Sequence, residues 1–408
     1  MLRSLFSGIS GLRSHQTLMD VVSNNIANVS TTGFKTGSVV FEDTLSQVVK
    51  NASAPTTISG GTNPAQIGLG AQLGAVTTNF SQGSAQTTSR PTDLMIQGDG
   101  FFLVRNGSNN VDFTRAGAFT FDTNGTLVNS EGMQVQGWTG MGTLNTNTPP
   151  TDIILPANLQ TPPTASTKVK LGGNITAGTT TPMTVGVTVY DAQGVSHTLS
   201  LDFASNTPPQ FDVTVTDTGN TSATGTGVVA FTATGANDST TASPTSVNPS
   251  ITLADGTVIT IDLSGITQFG GPKTMSETSA DGSASGTLQQ FQIANDGSVI
   301  GVFSNGQKLT IAQLALANFN NPAGLEKIGN TSFRSTYNSG LAQVGIPGTG
   351  GRGELLGGSL EMSNVDLAAE FTNLIIAQRG FQANSRVITT SDQMLQDLVD
   401  LKRCSGSQ

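Results

Sequence analysis

The sequence predicts a multidomain α+β protein in which two terminal α-helices form a coiled coil and the interior holds two mainly antiparallel β domains, one inserted in the other. Three observations carry that expectation. Apolar residues recur at alternating three- and four-residue spacing at both ends, period-two patterns broken by Asn-Gly and Asp-Gly pairs lie between them, and a long interior stretch is rich in Thr, Ser, Gly and Pro. A length of 408 residues accommodates several domains of ordinary size.

The first 30 residues place Leu2, Leu5, Ile9, Leu12, Gln16, Met19, Ser23 and Ile26 on one grid, and six of these eight are apolar. That is the narrow stripe of a coiled-coil seam. At the other end Leu367, Phe371, Leu374, Gln378, Phe381, Ile388 and Leu395 follow the same spacing. The second helix is expected from about residue 364 to 403, roughly 60 Å at 1.5 Å per residue. Ser363 is placed to cap it with Asp366 three residues on. Asp366 and Glu370 lie at the positive end of its dipole and Lys402 and Arg403 at the negative end. Gly8 and Gly11 each cost the first helix about 1 kcal/mol relative to Ala. Gly380 stands where a bulkier or polar helix former is expected, and so loosens the second helix locally. Neither helix should be stable alone. Each stripe either covers the chain's own β core or finds another helix, and two stripes of coiled-coil width favour pairing with each other or with neighbouring subunits, so that the ends order on assembly.

Between the helices the period changes to two. Phe101-Phe102-Leu103-Val104-Arg105 leads into Asn106-Gly107, Ala118-Phe119-Thr120-Phe121 into Asn124-Gly125, and Asp255-Gly256, Asp296-Gly297 and Asn305-Gly306 punctuate later strands. Such pairs favour the positive φ angles of tight hairpins, which predicts antiparallel meanders throughout. The domain boundaries follow composition. Residues 1–30 and 359–408 form the terminal helical domain, 31–70 a Gly-, Ser-, Thr- and Ala-rich linker, 71–145 and 284–358 a middle β domain, and 146–283 an inserted Thr-rich β domain. That insert holds 10 acidic and 3 basic residues, which is −7 of the chain's net −9.

Charge is scarce. Only 11% of residues are Asp, Glu, Lys or Arg, against about 25% for a soluble protein. Hydrophobic residues at 36%, with 49 glycines, still bring the apolar total near 48%, which implies a folded chain. The acidic balance, 18 basic against 27 acidic residues, argues against nucleic-acid binding. No apolar run approaches the roughly 18 residues of a membrane span, and no signal-peptide pattern follows Met1. One cysteine, Cys404, excludes an internal disulfide or a Cys-rich metal site. With only His15 and His197 besides, no cofactor or metal is expected and neither is an enzyme. Gly348-Thr349-Gly350-Gly351-Arg352-Gly353 matches a dinucleotide fingerprint by letter, but no βαβ unit surrounds it, so a hinge is the better reading. Asp122-Thr123-Asn124-Gly125 lacks the other ligands of a calcium loop and reads as a hairpin turn. Trp138 is expected to pack in a core.

The specific signal is longer. Ser23-Asn24-Asn25-Ile26-Ala27-Asn28-Val29-Ser30-Thr31-Thr32-Gly33-Phe34-Lys35 resembles the N-terminal signature of the flagellar rod and hook family of axial proteins. In physical terms, Asn24, Asn25 and Asn28 pair with backbone where the helix ends, Gly33 supplies a turn and Phe34 an anchor. Ser363-Asn364-Val365-Asp366-Leu367 with Gln378-Arg379-Gly380-Phe381-Gln382-Ala383-Asn384-Ser385, and Ile96-Gln97-Gly98-Asp99-Gly100-Phe101-Phe102, resemble two further family elements. Val187-Thr188-Val189-Tyr190-Asp191-Ala192-Gln193-Gly194 and the stretch from Phe291 to Phe319 resemble the longer hook branch of the family, whereas distal-rod members are expected to be shorter and to lack the insert.

The resemblance implies a structural subunit that polymerises into a short curved tube joining rod to filament, a universal joint transmitting torque. It implies terminal helices at the inner wall, with Leu2, Leu5, Ile9, Leu12, Gln16, Met19 and Ile26, and Leu367, Phe371, Leu374, Gln378, Phe381, Ile388 and Leu395, at polymer interfaces. The implied partners are other copies of the chain, the distal rod, the hook cap, the hook–filament junction proteins and the flagellar export apparatus. The implied location is the bacterial flagellum outside the cell, reached without a cleaved signal peptide. A distal-rod subunit or a Thr-rich surface adhesin are the alternatives.

Overall fold

The computed structural model describes residues 2–55, 60–108, 110–156, 158–206, 210–219, 223–238 and 247–405. The side chains of Leu2, Arg3, Leu398, Asp400 and residues 401–405, Lys402, Arg403 and Cys404 among them, lie outside that description. The chain divides into two compact units, Met1–Leu155 with Gln292–Ile300 and Thr310–Gln408, and Pro156–Phe291 with Gly301–Leu309.

In the first unit, α1 spans Leu2–Ala27 and α2 spans Leu367–Ser405. They pack antiparallel: Gly8 lies against Ile388, Gly11 against Asn384, His15 against Gly380, and Asn25 bonds to Glu370. The cap of α2 is Asp366 rather than the expected Ser363. Its Oδ1 accepts the N–H groups of Ala368 and Ala369 at 2.9 and 3.3 Å. The helix begins at Leu367, after the strand Ser359–Glu361 that pairs with Ala85–Thr87.

Residues 31–70, expected as a linker, carry strands instead. Gly37–Asp43 pairs antiparallel with Ala71–Thr78, and Ser46–Lys50 with Ala65–Gly68. Small residues lower strand propensity only slightly, and Val39, Val40 and Phe41 provide the β-branched and aromatic side chains that a pleated surface favours. The expected hinge near Gly348–Gly353 is likewise a braced turn. Arg352 donates from Nε to the Ile346 carbonyl at 3.1 Å and from Nη2 to Thr349 Oγ1 at 3.0 Å. Glu354–Gly357 then pairs with Leu94–Gln97.

The main sheet of this unit is antiparallel. Phe101–Arg105 pairs with Val111–Thr114, Gln134–Thr139 and Leu316–Asn318, and Val111–Thr114 continues to Ser332–Arg334 and Glu326–Gly329. Phe101, Leu103, Phe113, Trp138, Phe319 and Phe333 form its core. Rings meet edge-on, as Phe113 and Phe319 do at 4.8 Å between centroids, the arrangement aromatic quadrupoles favour. Trp138 is buried and donates to the Thr148 carbonyl at 2.7 Å, a packing role. Asp122 Oδ1 is occupied by the N–H groups of Asn124 and Thr126, as a hairpin turn requires.

The second unit stacks two four-stranded sheets. One holds Ser250–Thr252, Val258–Phe269, Lys168–Thr176 and Ser276–Ala280, the other Met183–Tyr190, Ser196–Ser205, Gln210–Asp217 and Thr224–Ala230. Alternate residues such as Val185, Val187, Val189, Leu199, Leu201 and Phe203 point into one shared core. Each such side chain contributes about 1.5–3 kcal/mol by leaving water. One pairing departs from the meander expectation: Lys168–Thr176 runs parallel to Val258–Phe269. Parallel neighbours need a long crossover, and the whole second sheet lies between them in the chain.

Candidate self-assembly surface

Two regions of the first unit collect the signature residues: a buried junction where the chain ends meet, and the faces of the paired helices. At the junction, Asn25 is buried and brackets Gly37, accepting its N–H at 3.0 Å and donating to its carbonyl at 2.8 Å. The same amide donates to Glu370 Oε1 at 3.0 Å. Asn28 donates to the Asn24 carbonyl at 2.9 Å and to Asn24 Oδ1, and accepts from Thr31 Oγ1, which closes the end of α1. Gly33 takes φ +69° and donates its N–H to the Glu361 carbonyl at 2.8 Å. A Cβ there would lie 2.5 Å from the Ala116 nitrogen, so only glycine fits. Asn364 performs the matching task from the other end: it accepts the Thr36 N–H at 2.9 Å and donates to the carbonyls of Asn79 and Ser81.

A charge cluster locks the junction. Lys35 Nζ lies 2.6 Å from Glu361 Oε1, Arg115 Nη1 lies 3.5 Å from Glu361 Oε2, and all three side chains are at most 2% exposed. Lys35 also donates to the Ser81 carbonyl, Gly83 donates its N–H to Glu361 Oε1, and the Arg115 guanidinium sits 5.3 Å above the Phe101 ring. Burial pushes the pKa of Lys35 below the ordinary lysine value, opposed by Glu361, and burial pushes Arg115 down as well. Sequence reasoning quoted Lys35 but missed Glu361, Arg115 and the Glu370 partnership. The available signal was that, in a chain so poor in charge, Lys35 ends the N-terminal signature and Glu361 lies just before the C-terminal one.

Four contacts between the helices involve Gly8, Gly11, His15 and Asn25 of α1, each one residue before an expected position, a rotation of about 100° around the helix, while on α2 the expected Ile388 does meet α1 at Gly8. The physical reason is distance of approach. A Cβ on Gly11 would stand 2.5 Å from Asn384 Nδ2, and one on Gly380 would run into the His15 imidazole. Gly380 is therefore a close-packing position, and the expectation that it loosens α2 is corrected. Of the expected α1 positions, Leu5, Leu12, Met19 and Ile26 are half-buried, while Gln16 and Ile9 are exposed. On α2, Leu374, Ile388 and Leu395 are half-buried, and Leu367, Phe371, Gln378 and Phe381 are exposed. Ile375 and Ile376, which the spacing did not select, are 58% and 57% exposed. Single exposed apolar residues are ordinary, but a run of them along one helix marks a contact surface.

A chain whose two ends are locked together and whose terminal helix shows apolar side chains to solvent is a subunit of an assembly, of the axial class that its signatures resemble. The chain belongs to the flagellar hook protein FlgE family. Residues 5–35 match the family described as "Flagella basal body rod protein", 95–177 "Flagellar hook protein FlgE/F/G D1 domain", 158–283 "Flagellar basal body protein FlaE D2 domain" and 356–401 "Flagellar basal body rod FlgEFG protein C-terminal". The "Flagellar hook protein FlgE" of Borreliella burgdorferi is 39% identical over 98% of this chain and 100% of its own length. That of Salmonella typhimurium is 33% identical over 98% and 100%. The "Flagellar basal-body rod protein FlgG" of Bacillus subtilis is 34% identical over 99% and 100%, so an end-to-end match does not by itself separate hook from rod relatives. Among the described residues, no helix is long and apolar enough to cross a membrane.

Proposed function

We propose that this chain is the structural subunit that self-polymerises into the flagellar hook, a flexible tubular universal joint transmitting torque from rod to filament. The observation that carries the reading is the row of exposed apolar side chains on α2, Phe371, Ile375 and Ile376, on a helix whose other face is already packed against α1. Copies of the chain would bury that row as a coiled-coil wall around a channel, with Gln16 and Gln378 fixing register at some cost in stability. The Thr-rich unit, as a domain inserted in the β domain before it, would form the outer layer. Its short hydroxyl side chains and few charges suit contacts that slide as the tube bends. The remaining partners would be the distal rod, the hook cap, the hook–filament junction proteins and the export apparatus. The role is mechanical rather than enzymatic, and the site of action is the extracellular flagellum. The rod relative carries the second reading, a distal-rod subunit, and the 38–39% identity to hook relatives favours the hook.

The test is electron microscopy of purified chains under polymerising conditions. Unaltered chains should form tubes. Phe371→Ser with Ile375→Ser should abolish them while the monomer keeps its melting temperature, since both side chains are half or more exposed. Tubes of normal yield from that variant would refute the reading.

A further inference from the structure

Beside the junction lies a cleft of about 390 Å³ that the packing of the chain leaves open. Its walls include Asn24, Asn28 and Phe34 from the N-terminal signature, and Lys327, Asn330 and Ser332 from the hairpin of Glu326–Gly329 and Ser332–Arg334. Two features of it are unexplained by the fold. The first is Lys327. Its ammonium lies 5.4 Å from the Phe34 ring centroid and donates to the Lys35 carbonyl at 3.2 Å, and among the described residues no carboxylate stands within ion-pair distance. Burial pushes its pKa below the ordinary lysine value. The second is Ser332, which is 2% exposed and whose hydroxyl has no hydrogen-bond partner among the described residues.

A cation with one carbonyl and one ring face, next to an idle hydroxyl donor, is a receptor for an anion. The geometry points to this cleft as a socket for an Asp or Glu side chain presented by a second copy of the chain. This rests on the polymer reading above. The occupant is argued from charge complementarity. Residues 146–283 of a neighbouring copy hold 10 acidic against 3 basic residues and so offer carboxylates in excess, and Lys327 is a cation with no carboxylate at ion-pair distance among the described residues. The socket is built partly from residues 24–34, so a neighbour's carboxylate seated in it would tie that neighbour to the N-terminal signature. Assembly would then reinforce the closure of the chain ends. A charge-assisted contact is also directional, and it would fix the register of one subunit on the next.

The experiment is zero-length carbodiimide coupling of the full chain, as dilute monomer and as assembled tubes, followed by peptide mass spectrometry. Tubes should yield an amide between Lys327 and an Asp or Glu of another chain, identified by mixing isotopically light and heavy subunits, and the monomer should not. Lys327→Met, which keeps the stem against Phe34, should lower tube yield at least tenfold at low salt with an unchanged melting temperature. Lys327→Arg should retain most of it. Tubes without any Lys327 coupling to a second chain, or a Lys327→Met chain that assembles like the unaltered one, would overturn the socket alone. Failure of the unaltered chain to form tubes would instead overturn the polymer reading.

Discussion

Lys35 and Glu361 stand 326 residues apart in the chain and 2.6 Å apart in the fold, with neither side chain exposed. Arg115 shares the same carboxylate from its other oxygen. Glu361 thus compensates two buried cations. Glu361→Gln should leave Lys35 without a counter-charge and Arg115 with only the charge of Asp99, and cost roughly 3–5 kcal/mol of stability in the first unit, the usual penalty for breaking a buried ion pair from one side. Chemical denaturation checks this, with the transition of the Thr-rich unit expected to stay in place. A loss below 1 kcal/mol would mean that water or a rearranged neighbour replaces the carboxylate.

Asn25 holds both backbone groups of Gly37 and one oxygen of Glu370. Asn25→Ala orphans them in a buried place and should cost about 1–3 kcal/mol. Asn25→Asp keeps an acceptor for the Gly37 N–H but sets a carboxylate against Glu370. At neutral pH it should destabilise at least as much as Ala, and acidification should relieve part of that difference.

Gly380→Ala separates helix propensity from helix packing. In an isolated helix the change is worth about 1 kcal/mol in favour of Ala. Here the new methyl meets the His15 ring, so the chain should lose stability by roughly 1–3 kcal/mol, the ordinary range for overpacking. His15→Ala combined with Gly380→Ala should recover most of it. A stabilised Gly380→Ala single variant would contradict the close helix contact.

Acid sensitivity of the Thr-rich unit should depend on Asp281. Partial burial raises its pKa, but the Thr167 hydroxyl and the N–H groups of Lys168 and Thr167 outweigh that, and the carboxyl titrates below its ordinary 3.8. A carboxyl with a lower pKa folded than unfolded contributes stability that is complete above the unfolded value and is lost as pH falls through the folded one. Melting temperatures measured from about pH 5 downward should therefore fall less steeply in Asp281→Asn than in the unaltered chain. Parallel slopes would show that the three hydrogen bonds do not favour the ionised form.

The sequence by itself determined the two terminal helices, the hairpins at Asn106-Gly107 and Asp122–Gly125, and the signature segments, because each depends on neighbours a few residues away. Periodicity, capping chemistry and turn residues act over that range. The family followed from the same local motifs. Tertiary structure alone decided the rest. It chose the face of α1 that meets α2, because apolar spacing records hydrophobicity and not how closely two backbones approach, and glycines at 8, 11 and 380 admit the nearer packing. It turned residues 31–70 into strands, because a ladder is completed by a partner such as Ala71–Thr78 and not by the strand's own composition. It set Lys168–Thr176 parallel to Val258–Phe269 through a crossover that no local pattern encodes. And it brought Lys35, Arg115 and Glu361 together, since pairing of buried charges is a matter of burial and distance, and neither is written in the order of residues along the chain.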